Sequence, residues 1–487
     1  MAAFSNANAP FGSARFAGPK ERAQAGMYRQ HAYSVLVGFD GPKPLFYSQF
    51  QVPDRKFCIY WNPTALHGLR GSRINPVDYL RKDSRTLVSD CKVFCENKIA
   101  SSGAAQSAFF EGRAREYLEA FTLTLVEING VLTLPALYHA INLLVAGGDA
   151  WLDFAFEMSE SSFAIARRIE AEIASNRDDT SGGYKGILGE LTKAFSCLSD
   201  PALMDSVSPP FDFSLSQLCE SDQTYNLYLM PPAEFAQAWA PVLKDLLVAG
   251  MIYKSRSPSA PRQTWVLDEC AQLGAFPLVV KLFTYGAGIG IRPWAIFQSS
   301  KQMKALGVDA EDIIMSSAAL QSWFGIRDPE TANKLSRMLG KETLSYVDEH
   351  RQEAARHAQR KAAGTLLSAR NPVQAAMDLV HHARMASLPV LKERALRSED
   401  ELLGMLADKQ VIFADGLSHP IWADRVAYYE QPFMAGRYHP NPYHPPSHAV
   451  RVRTRHGYAW RPVITEPVPR QFAHYPQYAD GTWSRIG

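Results

Sequence analysis

The chain has 487 residues, 46% of them hydrophobic, enough to bury a large core and to divide into roughly two to four domains. Lysine and arginine total 51 against 49 acidic residues, so the formal charge of +2 argues neither for nor against a polyanionic partner at the level of the whole chain, and any basic surface is local. The six cysteines, at positions 58, 91, 95, 197, 219 and 270, are too sparse for a disulfide scaffold and lack the second close pair of a zinc site, so reduced cytoplasmic thiols are expected.

Residues 1–17 show no charged segment followed by an apolar run, so no secretory signal is expected. Residues 1–50 are rich in Gly, Pro, Ala and Ser and read as a lightly structured lead-in with one short strand-like run at residues 33–37. KFCIYW, residues 56–61, closed by Asn62-Pro63, reads as a buried strand ending in a turn. Residues 51–77 are assigned to the first part of an α/β domain.

Residues 78–210 change to helical spacing, with apolar positions three and four apart in 109–125, 134–145 and 163–173, and predict an all-helical domain. The most apolar window, 131–146, is interrupted by Pro135, His139 and Asn142 and is shorter than the roughly 20 apolar residues that span a bilayer. YNLYLM at 225–230 restores a strand, followed by a helix at 233–251, a strand at 264–267, a helix at 278–285 and a strand at 291–297. This alternation across residues 211–345 predicts right-handed strand-helix-strand units and a parallel sheet. Residues 348–363 and 372–397 read as charged helices and 410–414 as a last strand, within a segment of residues 346–433. The tail, 434–487, is dense in Pro, His, Tyr and Arg and is expected to be extended rather than packed.

TWVLDECAQLG, residues 264–274, places Asp268 and Glu269 at a strand's carboxyl end, where open parallel sheets bind ligands. One carboxylate there can hold the magnesium of a nucleotide and a second can orient an attacking water. The same pair can equally cap the next helix. The following strand, WAIFQSS, ends at Gln298, which suits a sensor of a terminal phosphate and also suits a turn. His439, His444 and His448 suit a solvated extended segment better than a metal site, and Arg451, Arg453, Arg455 and Arg461 with Tyr458 and Trp460 suit either a basic strand or a grip on single-stranded nucleic acid. Arg351, Arg356, Arg360 and Lys361 read as a solvated helix face.

LDECAQLG, YGAGIGIRPWAIFQSSKQMKAL (285–306) and SSAALQSWFGIRDPETANKLSRMLGKET (316–343) together resemble the Walker B region, glutamine strand and following helix of type IV secretion coupling proteins, the TraG-like conjugative DNA transfer family. Residues 11–28, 73–80 and 419–434 resemble that family's lead-in, the turn before its helical domain and its closing motif, in family order. The resemblance implies an α/β, RecA-like P-loop-type parallel sheet core with an inserted all-helical domain. It implies ATP and Mg2+ as cofactors, with Asp268 as the metal ligand, Glu269 as the base and Gln298 as the γ-phosphate sensor. It also implies a hexamer at the cytoplasmic face of the bacterial inner membrane, with secretion-channel components, relaxosome or effector proteins and single-stranded DNA as partners.

Three departures accompany it. The sequence contains no G-x-x-x-x-G-K-[ST]; the nearest string, Gly340-Lys341-Glu342-Thr343, lacks the hydroxyl after lysine. Family order puts the loop between Leu45 and Lys56, so the first strand, the phosphate loop and its helix are expected to be missing and the sheet incomplete. Position 287 is alanine where many relatives carry an arginine that reaches a neighbouring subunit's nucleotide, and the family's amino-terminal membrane helices are not expected in this chain. Impaired ATP hydrolysis is therefore expected, with a non-catalytic adaptor for secretion substrates or for a full-length relative as the alternative.

Overall fold

The structure is a computed structural model that describes residues 33–37, 56–66, 69–101, 105–176, 182–220, 224–346, 349–367, 372–387, 390–426, 449–454, 456–467, 470 and 482–486. The chain divides into two compact units, Met1–Ala318 with Val426–Gly487, and Ala319–Arg425. The division falls at Ala319, ahead of the boundary at residue 345 expected from sequence.

The first unit is built on a parallel five-stranded sheet. Its strands are β1 (Tyr33–Val37), β2 (Lys56–Trp61), β3 (Thr224–Leu229), β4 (Gln263–Leu267) and β5 (Ile291–Ala295), in the order β2-β3-β1-β4-β5. The expectation that the first strand is missing is overturned: β1 lies at the centre, with Val35 in register with Leu227 on one side and Trp265 on the other. Its YSVLV run has the β-branched, apolar composition of a strand flanked on both sides. The Gly- and Pro-rich residues around it disguise it as lead-in.

The chain leaves the sheet after β2 for a helical block, which among the described residues comprises α1 (Leu87–Lys98), α2 (Ala105–Asn129), α3 (Leu134–Ala146), α4 (Asp149–Glu160), α5 (Ala164–Asn176), α6 (Gly183–Phe195) and α7 (Pro201–Ser206). Apolar residues at helical spacing along α2, among them Tyr117 and Phe121, are fully buried, with Phe121 edge-on to Phe154 of α4. Thr133 caps α3 with Pro135 in its first turn, and Asp200 caps α7, so each helix starts where a side-chain oxygen satisfies free amides. The entry and exit of this block run side by side. Ile74 bridges Phe213, and the amide of Arg73 donates to Asp212 Oδ2 at 2.8 Å, while its guanidinium pairs with Asp205.

After β3 the chain turns through a short 3-10 segment at Ala233–Phe235 into α8 (Ala240–Arg256), later than the helix start expected at residue 233. Most of α8 is buried, and Gly250 lets the Trp265 ring of β4 pack against its backbone. A Cβ at Gly250 would stand 3.3 Å from that ring. The ring nitrogen of Trp265 donates to Gln263 Oε1 at 2.9 Å, so a fully buried indole keeps a partner. Helix α9 (Pro277–Ile289) then returns the chain to β5, completing a parallel crossover. Helix α10 (Ala310–Ser317) closes this part of the unit.

The second unit has β6 (Leu320–Trp323), α11 (Pro329–Leu339), β7 (Lys341–Tyr346), α12 (Glu349–Leu367), α13 (Pro372–Ser387), β8 (Val390–Ala395), α14 (Glu399–Leu403), β9 (Lys409–Ala414) and β10 (Ile421–Asp424). Strands β10, β9 and β6 form one antiparallel sheet, and β7 and β8 pair around the α12–α13 excursion. The helix expected to run through residue 397 ends at Ser387, because Pro389 cannot continue a helix and VLKERA finds a partner in β7. Ile326, Leu335, Leu402 and Val411 make the core of this unit.

The expectation of an unpacked tail also fails in part. Strands β11 (Ala449–Thr454), β12 (Gly457–Pro467) and β13 (Thr482–Ile486) form an antiparallel meander. The His439, His444 and His448 stretch lies outside the described residues.

Candidate functional site

Three parallel strands, β1, β4 and β5, end together. Val37 is in register with Leu267, and Leu267 with Ala295. Pairing continues past the formal ends of β4 and β5: the Ile296 amide donates to the Leu267 carbonyl at 3.0 Å and the Cys270 amide to the Ile296 carbonyl at 3.3 Å. Asp268 and Glu269 sit inside this extension, half-buried, and buried Cys270 anchors the short turn that follows.

Glu269 has φ 49° and ψ 44°, the left-handed region, which a residue with a Cβ rarely adopts. The carbonyl of Glu269 accepts from the Gln272 amide at 2.9 Å, closing a tight turn. That turn aims the Glu269 side chain at the next strand end, where Gln298 Nε2 donates to Glu269 Oε1 at 3.2 Å. The backbone at Gln298 is itself held: its main-chain N–H donates to Gln302 Oε1 at 2.8 Å. Gln302 has no role in the sequence reading, although its position four residues beyond Gln298 gives a reason to look there.

The structure thus brings Asp268, Glu269 and Gln298 to adjacent parallel strand ends. Ala287 is an exposed position on α9, and in the second unit Gly340 caps the end of α11 and Lys341 opens β7. The residues after Val37 read Gly38-Phe39-Asp40-Gly41-Pro42-Lys43; they depart from G-x-x-x-x-G-K-[ST] and lie outside the described residues. Among the described residues no group of three or more His, Cys, Asp or Glu could hold a metal ion. A magnesium bound mainly by phosphates and water needs only one or two carboxylates, and the Asp268–Glu269 pair fits that lighter requirement.

The profile of the family described as type IV secretory system conjugative DNA transfer matches residues 54–367, more than half of the chain. The chain belongs to this family. Among curated relatives of the family, the conjugal transfer protein TraG of Agrobacterium fabrum is 24% identical over 317 residues, covering 64% of this chain and 43% of TraG. A TraG of Escherichia coli is 24% identical over 294 residues, covering 55% of this chain and 45% of TraG. The chain therefore spans less than half the length of these relatives.

Solved structures of the coupling protein TrwB share the fold. The unbound form of TrwBdeltaN70 superposes with a TM-score of 0.56 at 15% identity, covering 82% of this chain and 80% of that one. TrwB with the GTP analogue GDPNP gives 0.53 at 15% identity, covering 84% and 87%. The likeness is one of fold, which in this chain is the central parallel sheet with its helical block described above. Among the described residues no helix is long and apolar enough to cross a membrane.

Proposed function

We propose that this protein is a coupling-protein subunit of a type IV secretion or conjugation apparatus, with a nucleotide-responsive but catalytically weak site. The observation that carries the reading is the Gln298–Glu269 contact across the ends of β4 and β5, directly beside the central strand β1. In this reading Asp268 holds a magnesium ion through water, Glu269 orients the attacking water and Gln298 senses the terminal phosphate. Bound Mg2+ would neutralise charge on the phosphates. The weakness follows from chemistry that the sequence leaves out: a phosphate-loop lysine and, at position 287, a guanidinium for the transition state, the latter worth about 10³-fold or more in rate.

The relatives' role in conjugative transfer supports secretion-channel proteins, relaxosome or effector proteins and DNA as partners, in a hexamer at the cytoplasmic face of the inner membrane. For single-stranded DNA the β11–β12 hairpin adds support, because Arg451 is in register with Trp460 and Arg453 with Tyr458, so that the sequence interleaves cations with rings along one hairpin. The deciding experiment is equilibrium binding of ATP with and without magnesium. Micromolar, magnesium-dependent affinity that falls on Asp268→Ala supports the reading. No binding at all favours a second one, a non-catalytic adaptor, which the departures after Val37 and at Ala287 recommend.

A further inference from the structure

A cavity of about 440 Å³ opens on the helical block, lined by Val88, Leu123, Phe163 and Ile165 as apolar walls and by Lys92, Glu116, Glu119 and Arg168 as charged groups. Glu119 is the unusual member. It is only 9% exposed, and its carboxylate has no hydrogen-bond or ion-pair partner among the described residues. Burial, and after it the charge of Glu116, push its carboxyl above the ordinary value, against the lowering influence of Lys92 and, less strongly, Arg168.

Helix α2 cannot supply the missing charge. One turn before Glu119 stands Arg115, whose Nε donates to the Ile99 carbonyl at 2.7 Å, and one turn after stands apolar Leu123. Arg168 at the cavity is paired with Glu116 at 2.5 Å. Lys92 is exposed, at the mouth. A carboxylate that is partly desolvated and makes no hydrogen bond of its own gains from a cation brought to it, and an apolar-walled opening favours a cation carried on an apolar stem.

We propose that this cavity binds an alkylammonium or guanidinium group carried on an apolar stem, with Glu119 as its counter-ion and Leu123, Phe163 and Ile165 against the stem. The chemistry is shared by a lysine or arginine side chain of a partner protein and by a free aliphatic amine. Lys92 at the mouth acts against either, so its removal should tighten binding.

The test is calorimetric titration of the full chain with two probes, a short lysine–leucine peptide and 1,5-diaminopentane. Saturable binding that weakens tenfold or more in Glu119→Gln, and does not weaken in Lys92→Met, supports the site. Response to the peptide alone assigns the source to a protein partner, and response to the diamine assigns it to free amines. Glu119→Gln is nearly isosteric and should unfold at the same or a higher temperature than the natural chain. Absence of saturable binding for both probes overturns the proposal. So does equal affinity in Glu119→Gln, or a marked fall in its unfolding temperature, which would mean that Lys92 already satisfies the carboxylate.

Discussion

Lys98 Nζ of α1 lies 2.5 Å from Asp245 Oδ2 of α8, with the two side chains 1% and 3% exposed. The same helices are joined again by Asp90 and Arg256, so the helical block is fastened to the sheet-covering helix by two ion pairs. Desolvating both charges offsets much of their attraction, which makes the pair a device for alignment more than for net stability. Lys98→Ala or Asp245→Ala alone should cost about 3–5 kcal/mol in urea denaturation, because each leaves a buried charge unpaired. The double change Lys98→Met with Asp245→Leu should recover most of that loss. A double variant as unstable as the singles would show that the pair contributes net stability.

The backbone of Glu269 carries a second expectation. A left-handed conformation at a residue with a Cβ costs on the order of 1 kcal/mol, and glycine is free of that cost. Glu269→Gly should therefore leave thermal stability unchanged or raise it slightly, although it removes the contact from Gln298. Strain retained at this one turn suits a position where side-chain placement matters more than stability. Loss of more than about 1 kcal/mol would show that the side chain, and not the turn, holds the strand ends.

At the end of β2, Asn62 is buried and folds the chain back by donating to the carbonyls of Leu66, at 3.1 Å, and Leu69, at 2.9 Å, while accepting from the Leu66 amide. Gly71 closes over it so tightly that a Cβ would stand 2.5 Å from the Asn62 carbonyl oxygen. Backbone cannot move aside as a side chain can. Gly71→Ala should destabilise by about 1–3 kcal/mol, the usual range for overpacking, and Asn62→Ala by a comparable amount for the carbonyls left unpaired. Proteolysis of the native state between β2 and α1 should quicken in both variants; unchanged cleavage would mean that this turn is dispensable.

How much of this was legible depends on what each stretch advertises. β3, β4 and β5 announce themselves as apolar runs closed by polar or turn residues, and their ordering with intervening helices dictates parallel pairing. From there Asp268, Glu269 and Gln298 fall at one sheet end. The five residues of β1 carry the same signal, but proline and glycine around them suggested a leader, and only the pairing to β3 and β4 reveals a central strand. β8 and the pairing of β11–β13 into a meander are hidden for another reason, although a basic strand is legible around Arg451–Arg461: strands at hairpins with polar, charged sequences are held by their partners more than by their own pattern. Glu119 has no sequence signal at all, since a glutamate on an amphipathic helix looks solvated until the packing of α1 and α5 around it is known.

The stem of the helical block contains a titrating group whose direction can be worked out. Asp78 accepts from Ser214 Oγ at 2.6 Å and from Tyr253 Oη at 2.7 Å, joining the block's entry, its exit and α8. Burial pushes the Asp78 carboxyl above its ordinary 3.8 and outweighs the lowering by both hydrogen bonds and by Arg81. The folded chain then holds this proton more tightly than the unfolded chain does. The contribution to stability is full below pH 3.8 and declines as pH rises through the raised folded value. Asp78→Asn cannot ionise and offers a single acceptor oxygen, so at neutral pH it should cost about 1–3 kcal/mol for the donor left unpaired. The gap between natural chain and variant should widen as pH falls through that window, read from urea midpoints across an acid series. A gap that narrows on acidification would mean that the ionised carboxylate is the favoured form, with the hydrogen bonds from Ser214 and Tyr253 outweighing burial.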